Sequence, residues 1–372
     1  MRGSPQPSSG AGPTRRAFLG TLAAGGLVGT AGCLQTLGFE RQSAWRDPPL
    51  ASDRPDAVYV PAVTEGMGMY GRTTAGRYGV ALMYSYPHRF WTLTGSETSK
   101  TVVEADDDVH LMASLWDTET GMALPIDSGL TIEIRNESGE TVTQEIAYPM
   151  LSQQMGMHYG DNYALDGAGE YEAHVQIGGV SLRCTGGFAG AFESAETAVI
   201  PFEFDPAQLS DISISEPENA GERGAIPPME MGDVPVGRAV EMASLPGRHL
   251  RRVRVGDVVF DGVIASGGET ESRFGSDPYF YAVARTPHNG IVLPMMGVQA
   301  TVARGGDTVF EEALASTLDP EVGYHYGAPH FGVDLRDGDE VTLSITTVPQ
   351  IARHDGYETA FFESESASLT VS

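Results

Sequence analysis

Hydrophobic and polar residues alternate with a period of two over several short stretches of this chain. Residues 109–116 and 170–177 show the alternation most clearly, and similar runs recur towards the C-terminus. Successive side chains of a strand point to opposite faces, so the pattern predicts half-buried β-strands. Turn residues separate the runs, and no long stretch has the 3.6-residue period of a helix. We therefore predict an all-β fold of antiparallel β-sandwiches.

A set of landmarks occurs twice along the chain, in the same order. Gly-Met-His-Tyr-Gly around His158 returns as Gly-Tyr-His-Tyr-Gly around His325, and a Gly-x-x-Leu-Pro motif precedes each copy. Downstream, an Arg-Cys pair at Cys184 corresponds to an Arg-His pair at His354. The shared order and near-equal spacing indicate a tandem duplication. The expected architecture is therefore two tandem β-sandwich units, each large enough for one buried core.

The connecting stretches predict where these units begin and end. Residues 33–54 are polar and contain proline, and residues 206–235 have weak apolar content and several prolines. Such stretches are typical of a tether and of a linker or long crossing loop. The predicted order is a signal over 1–32, a tether over 33–54, a first β-sandwich over 55–205, a linker over 206–235 and a second, diverged β-sandwich over 236–372.

The N-terminal residues predict export. Two adjacent arginines, Arg15 and Arg16, precede an apolar stretch of small residues that ends near Gly32. The stretch is shorter than the roughly 20 residues that span a bilayer. The residues before Cys33 resemble a lipoprotein lipobox, with Cys33 as the lipidated first residue of the mature protein; the alternative is a secreted protein cleaved elsewhere. We expect a twin-arginine lipoprotein whose lipid holds it on the extracytoplasmic face of the plasma membrane, at the cell surface.

The charge balance is strongly acidic. The formal net charge is −27, and Lys100 is the only lysine. An acidic, lysine-poor surface keeps a protein hydrated and dispersed in strong brine, where salt screens ordinary charge repulsion. We interpret the composition as that of a halophilic archaeal protein. The chain lacks basic patches that would neutralise phosphates, so nucleic acid is not an expected partner.

Several side chains of the first unit are suited to binding a metal. His110 and Met112 lie two apart on a predicted strand and share a face, with Cβ atoms about 7 Å apart. Met150 lies eight residues before His158, and Cys184 has no disulfide partner once the other cysteine carries lipid. Thioether and imidazole groups together favour copper. The alternatives are a solvated face for His110, a structural role in a turn for His158, and a small buried hydrophobe for Cys184.

The second unit offers fewer donors. His325 lies in the repeated motif and His354 occupies the place of Cys184, so this pair is the predicted second site. The chain contains no Gly-x-Ser-x-Gly, His-Glu-x-x-His, phosphate-loop or dinucleotide pattern. We therefore expect a binding protein and not an enzyme, with a copper or iron ion as its ligand.

Residues 109–177 resemble the periplasmic iron-transport family of copper- and iron-binding proteins. The resemblance rests on an Asp-x-His-Leu strand at His110, a Pro-Met segment at Met150, a His-Tyr-Gly-x-Asn motif at His158 and a Gly-x-Tyr-Glu strand at Tyr171. It implies that the sandwiches are immunoglobulin-like. Bacterial members of the family often form homodimers, so the resemblance also implies that the tandem units act as a monomer mimicking a dimer.

The resemblance further implies a ligand set. In the family a strand His, a Met, the His of His-Tyr-Gly and a later His hold the metal, with a Glu two residues after the strand His. The corresponding residues here are His110, Met112, Met150, His158 and Cys184. Met for Glu and Cys for His make the site softer, which favours copper over iron. Met155 or Met157 could replace Met150, and Tyr279 and Tyr281 stand at the places of His110 and Met112 in the second unit, whose site is expected to be altered.

These observations favour one function over another. The leading hypothesis is an exported, membrane-anchored lipoprotein that binds copper or iron for uptake or homeostasis and passes it to a metal permease. The alternative is a metal-free β-sandwich at the cell surface that acts as a scaffold or interaction module. A copper redox protein is less favoured, because no second histidine follows Cys184 closely. Convergence of the predicted ligands in one pocket distinguishes metal binding from a scaffold role.

Overall fold

The computed structural model describes residues 48–328, 330–363 and 365–371, without the side chain of Glu269. The predicted signal, the predicted lipidation site Cys33 and most of the predicted tether lie outside the described residues. The described residues belong to one compact unit. Among them, no helix has the length and apolar character that crossing a bilayer requires.

The N-terminal half consists of short strands joined by turns. Its strands are β1 (Thr64–Glu65), β2 (Gly68–Ala75), β3 (Tyr78–Ser85), β4 (Phe90–Thr94), β5 (Glu97–Thr101), β6 (Val109–Asp117), β7 (Thr131–Asn136), β8 (Thr141–Ile146), β9 (Tyr148–Ser152), β10 (Gly156–Tyr163), β11 (Gly169–Ile177), β12 (Arg183–Cys184), β13 (Glu196–Phe204) and β14 (Ile214–Ser215). Single 3-10 segments cover Gly186–Phe188 and Pro206–Asp211.

The C-terminal half also consists of strands joined by turns and short connections. Its strands are β15 (Arg248–Val255), β16 (Val258–Ala265), β17 (Tyr279–Arg285), β18 (Gly297–Arg304), β19 (Asp307–Asp319), β20 (Gly323–Ala328), β21 (Glu340–Thr347), β22 (Ala352–Arg353) and β23 (Ser366–Thr370). A 3-10 segment covers Met242–Ser244, and another, Gly268–Thr270, leads into the one-turn helix α1 (Glu271–Phe274).

Two sheets face each other in the N-terminal half. One has the order β2-β3-β6-β10-β9-β22-β4-β5 and the other the order β13-β11-β7-β8. The side chains of β6 that face the second sheet are Val109, Leu111, Ala113 and Leu115, which are buried in the main core as the alternation predicts. The C-terminal half has the order β15-β16-β17-β20-β19-β18-β21-β23. The prediction of an all-β, antiparallel architecture is confirmed.

The two halves exchange short strands. β22 from the C-terminal half pairs in parallel with β9, and β12 from the N-terminal half pairs in parallel with β19. His354 N donates to Leu151 O just beyond the first pairing, and Thr185 N donates to Leu318 O beyond the second. These matching bonds make Thr185, and not Cys184, the structural counterpart of His354. The alignment of Cys184 with His354 is therefore wrong by one residue.

The predicted linker lies against the N-terminal half. Its strand β14 pairs with β1. Farther along, Ile226 N donates to Gln153 Oε1, Met229 N donates to Gln154 O, and Val234 is buried. The first part of this crossing segment, residues 206–235, packs in the main core through Leu209 and Ile212. Its last part packs through Met231 and Val234 on the face of the large sheet that points away from the main core. The division into domains stays a prediction.

Candidate metal centre

The outer face of the large N-terminal sheet brings predicted ligands from separate strands side by side. On this face His158 of β10 lies directly opposite Met150 of β9, and Gly160 of β10 lies opposite Met112 of β6. His110 lies two residues before Met112 and shares its face. The segment around His158 is a buried strand and not the turn that its glycines predict, because β6 and β9 pair with it on both sides.

Gly160 leaves a hollow between two donors. A Cβ atom at Gly160 would lie 2.9 Å from His110 Nε2 and 3.2 Å from Met150 Sδ. Both side chains are fully buried, so the missing Cβ lets an imidazole and a thioether approach one point above the backbone. Met150 is the methionine that reaches this point, since Met157 faces the main core and Met155 belongs to a separate group on the outer face.

Two further histidines complete a cluster. His88 precedes β4 and His354 follows β22, the next strands across the sheet from β9. One ring nitrogen from each of His88, His110 and His354 lies within 4.8 Å of the other two. His158 stacks on His354 with ring centroids 5.3 Å apart. These four histidines, with Met150, form what we call the imidazole cluster.

Backbone carbonyl groups orient two of the rings. Nδ1 of His88 donates to Tyr86 O at 2.9 Å, and Nδ1 of His158 donates to Gly156 O at 3.1 Å. A carbonyl oxygen only accepts hydrogen bonds, so both Nδ1 atoms carry the proton. In that tautomer the lone pair is on Nε2, which is the atom left to bind a metal.

Asn162 orients a third ring. Its Nδ2 donates to the carbonyl oxygen of His88 at 3.0 Å, which fixes the orientation of the amide group. Its Oδ1 then accepts from His110 Nδ1 at 2.8 Å. His110 therefore also presents an unprotonated Nε2.

The Nε2 atoms of all four histidines are buried without a partner. Among the described residues, none of these atoms has a hydrogen bond. Leaving a buried polar atom unsatisfied costs about 1–3 kcal/mol, so four such atoms at one place indicate a bound group that accepts their lone pairs. A metal ion accepts lone pairs in this way, and the tautomers fixed for His88, His110 and His158 are those that metal-bound histidines adopt.

Burial also keeps the rings of His110, His158 and His354 neutral. Loss of hydration lowers the pKa of His158 to about 4. It lowers the pKa of His110 and of His354 well below the usual value, and neighbouring histidines of the cluster add to the effect. Coordination needs the unprotonated imidazole, so protons compete weakly with a metal at neutral pH.

A cleft of about 110 Å³ opens onto the cluster. Its walls include His88, His158 and His354, together with Met112 and the carboxylate of Glu65. Oε2 of Glu65 lies 3.5 Å from Nδ1 of His88. A negative group at this position favours the approach of a cation from solvent.

Cys184 does not join the imidazole cluster. β12 carries it to β19 of the C-terminal half, where its side chain is partly buried against the main core. Burial raises the pKa of the thiol, which disfavours the thiolate that binds metals. The structure therefore does not bring the predicted ligand Cys184 to the other predicted ligands, and the strand exchange delivers His354 in its place.

Tyrosine fills the equivalent place in the C-terminal half. Nε2 of His325 accepts a hydrogen bond from the Tyr279 hydroxyl at 3.0 Å. The Tyr279 side chain lies over Gly327, the counterpart of Gly160 in the repeat, and occupies the hollow that a ligand would need. His354 is part of the imidazole cluster and lies on the other half's sheet. The structure therefore does not bring His325 and His354, the predicted second site, together.

Comparisons with known proteins cover parts of the chain. Residues 243–370 match the family model of a domain of unknown function, DUF7350. No curated protein matches the chain. The solved structure of FetP from uropathogenic Escherichia coli strain F11, as isolated, is 16% identical with a TM-score of 0.24, and the alignment covers 38% of this chain and 96% of FetP. A copper-bound variant of FetP is 20% identical with a TM-score of 0.27, over 37% of this chain and 97% of the variant. At these TM-scores the likeness carries no argument about this chain, so the case for a metal rests on its own side chains.

Sequence reasoning did not assign His88, Glu65 or His354 to this site. His88 follows Tyr-Pro, which is no metal-binding pattern, and His354 belongs to the other copy of the repeat. The order of the strands across the sheet brings these residues together. The spacing of residues along the sequence does not reveal that order. The duplication itself was the one available signal, because partners in a repeat can exchange strands.

Proposed function

We propose that this chain is a copper-binding protein and that the imidazole cluster holds the ion. The observation that carries the proposal is the set of four buried Nε2 atoms that have no partner in the described part of the chain, beside the Met150 thioether. Neutral imidazole suits several transition metals, whereas a thioether selects copper, above all Cu(I). The donor set therefore favours copper over iron.

We propose the same cellular role that the sequence favours. The twin-arginine signal and the residues before Cys33 support export and a lipid anchor on the outer face of the membrane. A protein held there could capture copper and pass it to a permease. The exchanged strands support the idea that the two fused units act together as the two subunits of a dimer would, because one unit supplies His354 to the site of the other.

Metal titration of the chain without its signal, in high salt, tests the proposal. Cu(I), Cu(II), Fe(II) and Zn(II) are compared by competition with chelators of known affinity. We expect copper to bind most tightly, and Met150→Leu to weaken Cu(I) by about tenfold (about 1.4 kcal/mol) while leaving Zn(II) nearly unchanged. Failure to bind any of the four ions would favour the scaffold alternative.

His158→Ala should weaken copper binding by about 100-fold, because it removes a ligand whose tautomer is already fixed. The fold should survive, since the ring has a single hydrogen bond. Elemental analysis and circular dichroism of the purified variant measure both effects. His174→Ala is the matched control, because His174 lies on β11 of the other sheet. Equal copper content in His158→Ala and the parent protein would refute the assignment.

A further inference from the structure

A second group of sulfur atoms lies on the same outer face, beyond the imidazole cluster. Met83 of β3 pairs directly with Met112 of β6, so their side chains lie side by side. These two pack with Met155 from the turn before β10, with Met67 from the segment between β1 and β2, and with Met231 from the crossing segment. Five separate parts of the chain thus deliver one thioether each to what we call the methionine group.

The composition of this group differs from that of the main core. The main core is built chiefly from leucine, valine, isoleucine, alanine and aromatic residues, with Met157 and Met296 as its buried methionines. The methionine group contains no leucine or isoleucine, and its other members are Ala81, Val234 and Trp116. Methionine fills irregular gaps, but that use predicts the same mixture in both places. A need for sulfur explains the difference.

Ser114 gives an independent sign of a ligand at this place. It lies between Met112 and Trp116 on the outer face of β6 and is 4% exposed. Its Oγ has no hydrogen-bond partner among the described residues. A buried hydroxyl without a partner among thioethers is costly unless something at the site interacts with it.

The methionine group is continuous with the cleft of the imidazole cluster. Met67, Met112 and Met155 line the cleft, on whose walls His158 and His354 also lie. An ion that enters the cleft therefore meets thioethers and imidazoles in the same space. Thioethers are soft, neutral ligands that prefer Cu(I) and bind Cu(II) and Zn(II) weakly.

We propose that the methionine group is a second, Cu(I)-selective binding site, formed by Met67, Met83, Met112, Met155 and Met231. Its position beside the imidazole cluster rests on the proposed function, but its own ligands and metal selectivity are separate. The chain then binds two Cu(I) ions and a single Cu(II) ion.

Stoichiometric titration under anaerobic conditions tests this inference. The probes are Cu(I), with bicinchoninate as the competing chelator, Ag(I) as a stable soft ion, and Cu(II). We expect two equivalents of Cu(I) or Ag(I) and one of Cu(II) for the parent protein. The triple variant Met83→Leu, Met155→Leu, Met231→Leu should bind one Cu(I) and still one Cu(II), because leucine has a similar volume and no sulfur. Met122→Leu with Met242→Leu, outside the group, is the matched control and should keep two.

A second measurement keeps the test independent of the triple variant. His158→Ala removes a ligand of the imidazole cluster alone, so its remaining Cu(I) should show sulfur-dominated coordination by X-ray absorption. Nitrogen-dominated coordination there, or one Cu(I) equivalent in the parent, would overturn the second site. Absence of Cu(II) binding in the parent would instead count against the imidazole cluster, so the two failures are distinguishable.

Discussion

At the residue scale, the absence of a Cβ atom at Gly160 makes room for the site. Gly160 stands where the strand passes beneath His110 Nε2 and Met150 Sδ. In the C-terminal repeat a glycine is kept at the same position, Gly327, but Tyr279 fills the space above it. The glycine is therefore necessary for the hollow in either half. The side chain next to it determines whether the hollow is filled.

Gly160→Ala should weaken copper binding at the imidazole cluster by at least about tenfold (about 1.4 kcal/mol). The added methyl group would lie 2.9 Å from His110 Nε2 and 3.2 Å from Leu111 O, so it displaces the ligand or the strand. Chelator competition measures the affinity. Gly169→Ala is the control, because the nearest atom to its Cβ is an ordinary 3.7 Å away in Tyr171. Unchanged affinity in Gly160→Ala would place the ion elsewhere.

At the element scale, strand exchange assigns each histidine to a sheet. The two-residue strand β22 carries His354 to the imidazole cluster, and β12 carries Thr185 to the matching place in the other half. Phe192 and Phe361 have nearly equal positive φ angles, 65° and 64°, and agree with the alignment of Thr185 with His354. Aligning the two Arg-x pairs by sequence is wrong by one residue because it ignores this backbone geometry.

His354→Ala should lower copper affinity by about 100-fold (about 2.8 kcal/mol), whereas Cys184→Ser should leave it unchanged. The first change removes a ring whose nitrogen lies within 4.8 Å of those of His88 and His110. The second changes a thiol that packs beside β19. Isothermal competition with a chelator measures both. A loss in Cys184→Ser that matches the loss in His354→Ala would contradict the observed strand pairing.

At the scale of the whole molecule, buried neutral histidines link stability to pH. Burial lowers the pKa of His158 and of His325 to about 4, against about 6.5 in an unfolded chain. The unfolded state then binds more protons between these values, so stability falls as the pH decreases. The contribution of these two neutral histidines to the free energy of unfolding is fully present above pH 6.5. It is lost progressively as the pH falls to 4, by up to about 3 kcal/mol for each histidine.

The metal-free protein should therefore unfold at lower denaturant concentration at pH 5 than at pH 7.5, in constant high salt. His325→Gln cannot take up a proton, so its stability should change less with pH than that of the parent. His330→Gln is the control, because His330 is exposed. Denaturant titrations at several pH values give the slopes. Equal slopes for the parent and His325→Gln would show that His325 does not contribute.

The sequence predicts much of the fold because its signals are local. Alternation in β6 places Val109 and Leu111 in the core and His110 and Met112 on the other face, and the structure agrees. The repeat of His158 at His325 corresponds to equivalent positions on β10 and β20, while the division into two units stays a prediction. The family resemblance groups His110, Met150 and His158 in one ligand set, and the structure places them on β6, β9 and β10, which are neighbours in one sheet.

The rest depends on contacts between residues far apart in the chain. Spacing along the chain gives no sign that β22 lies between β9 and β4, so His88 and His354 enter the site only through the assembled sheet. For the same reason the burial of the outer face beneath the crossing segment is not visible in its weak apolar content. The periodicity of the chain determined the strands and the face of each side chain, because both follow from backbone geometry. The tertiary structure alone decided which strands are neighbours, because strand pairing between distant segments depends on the packing of the whole molecule.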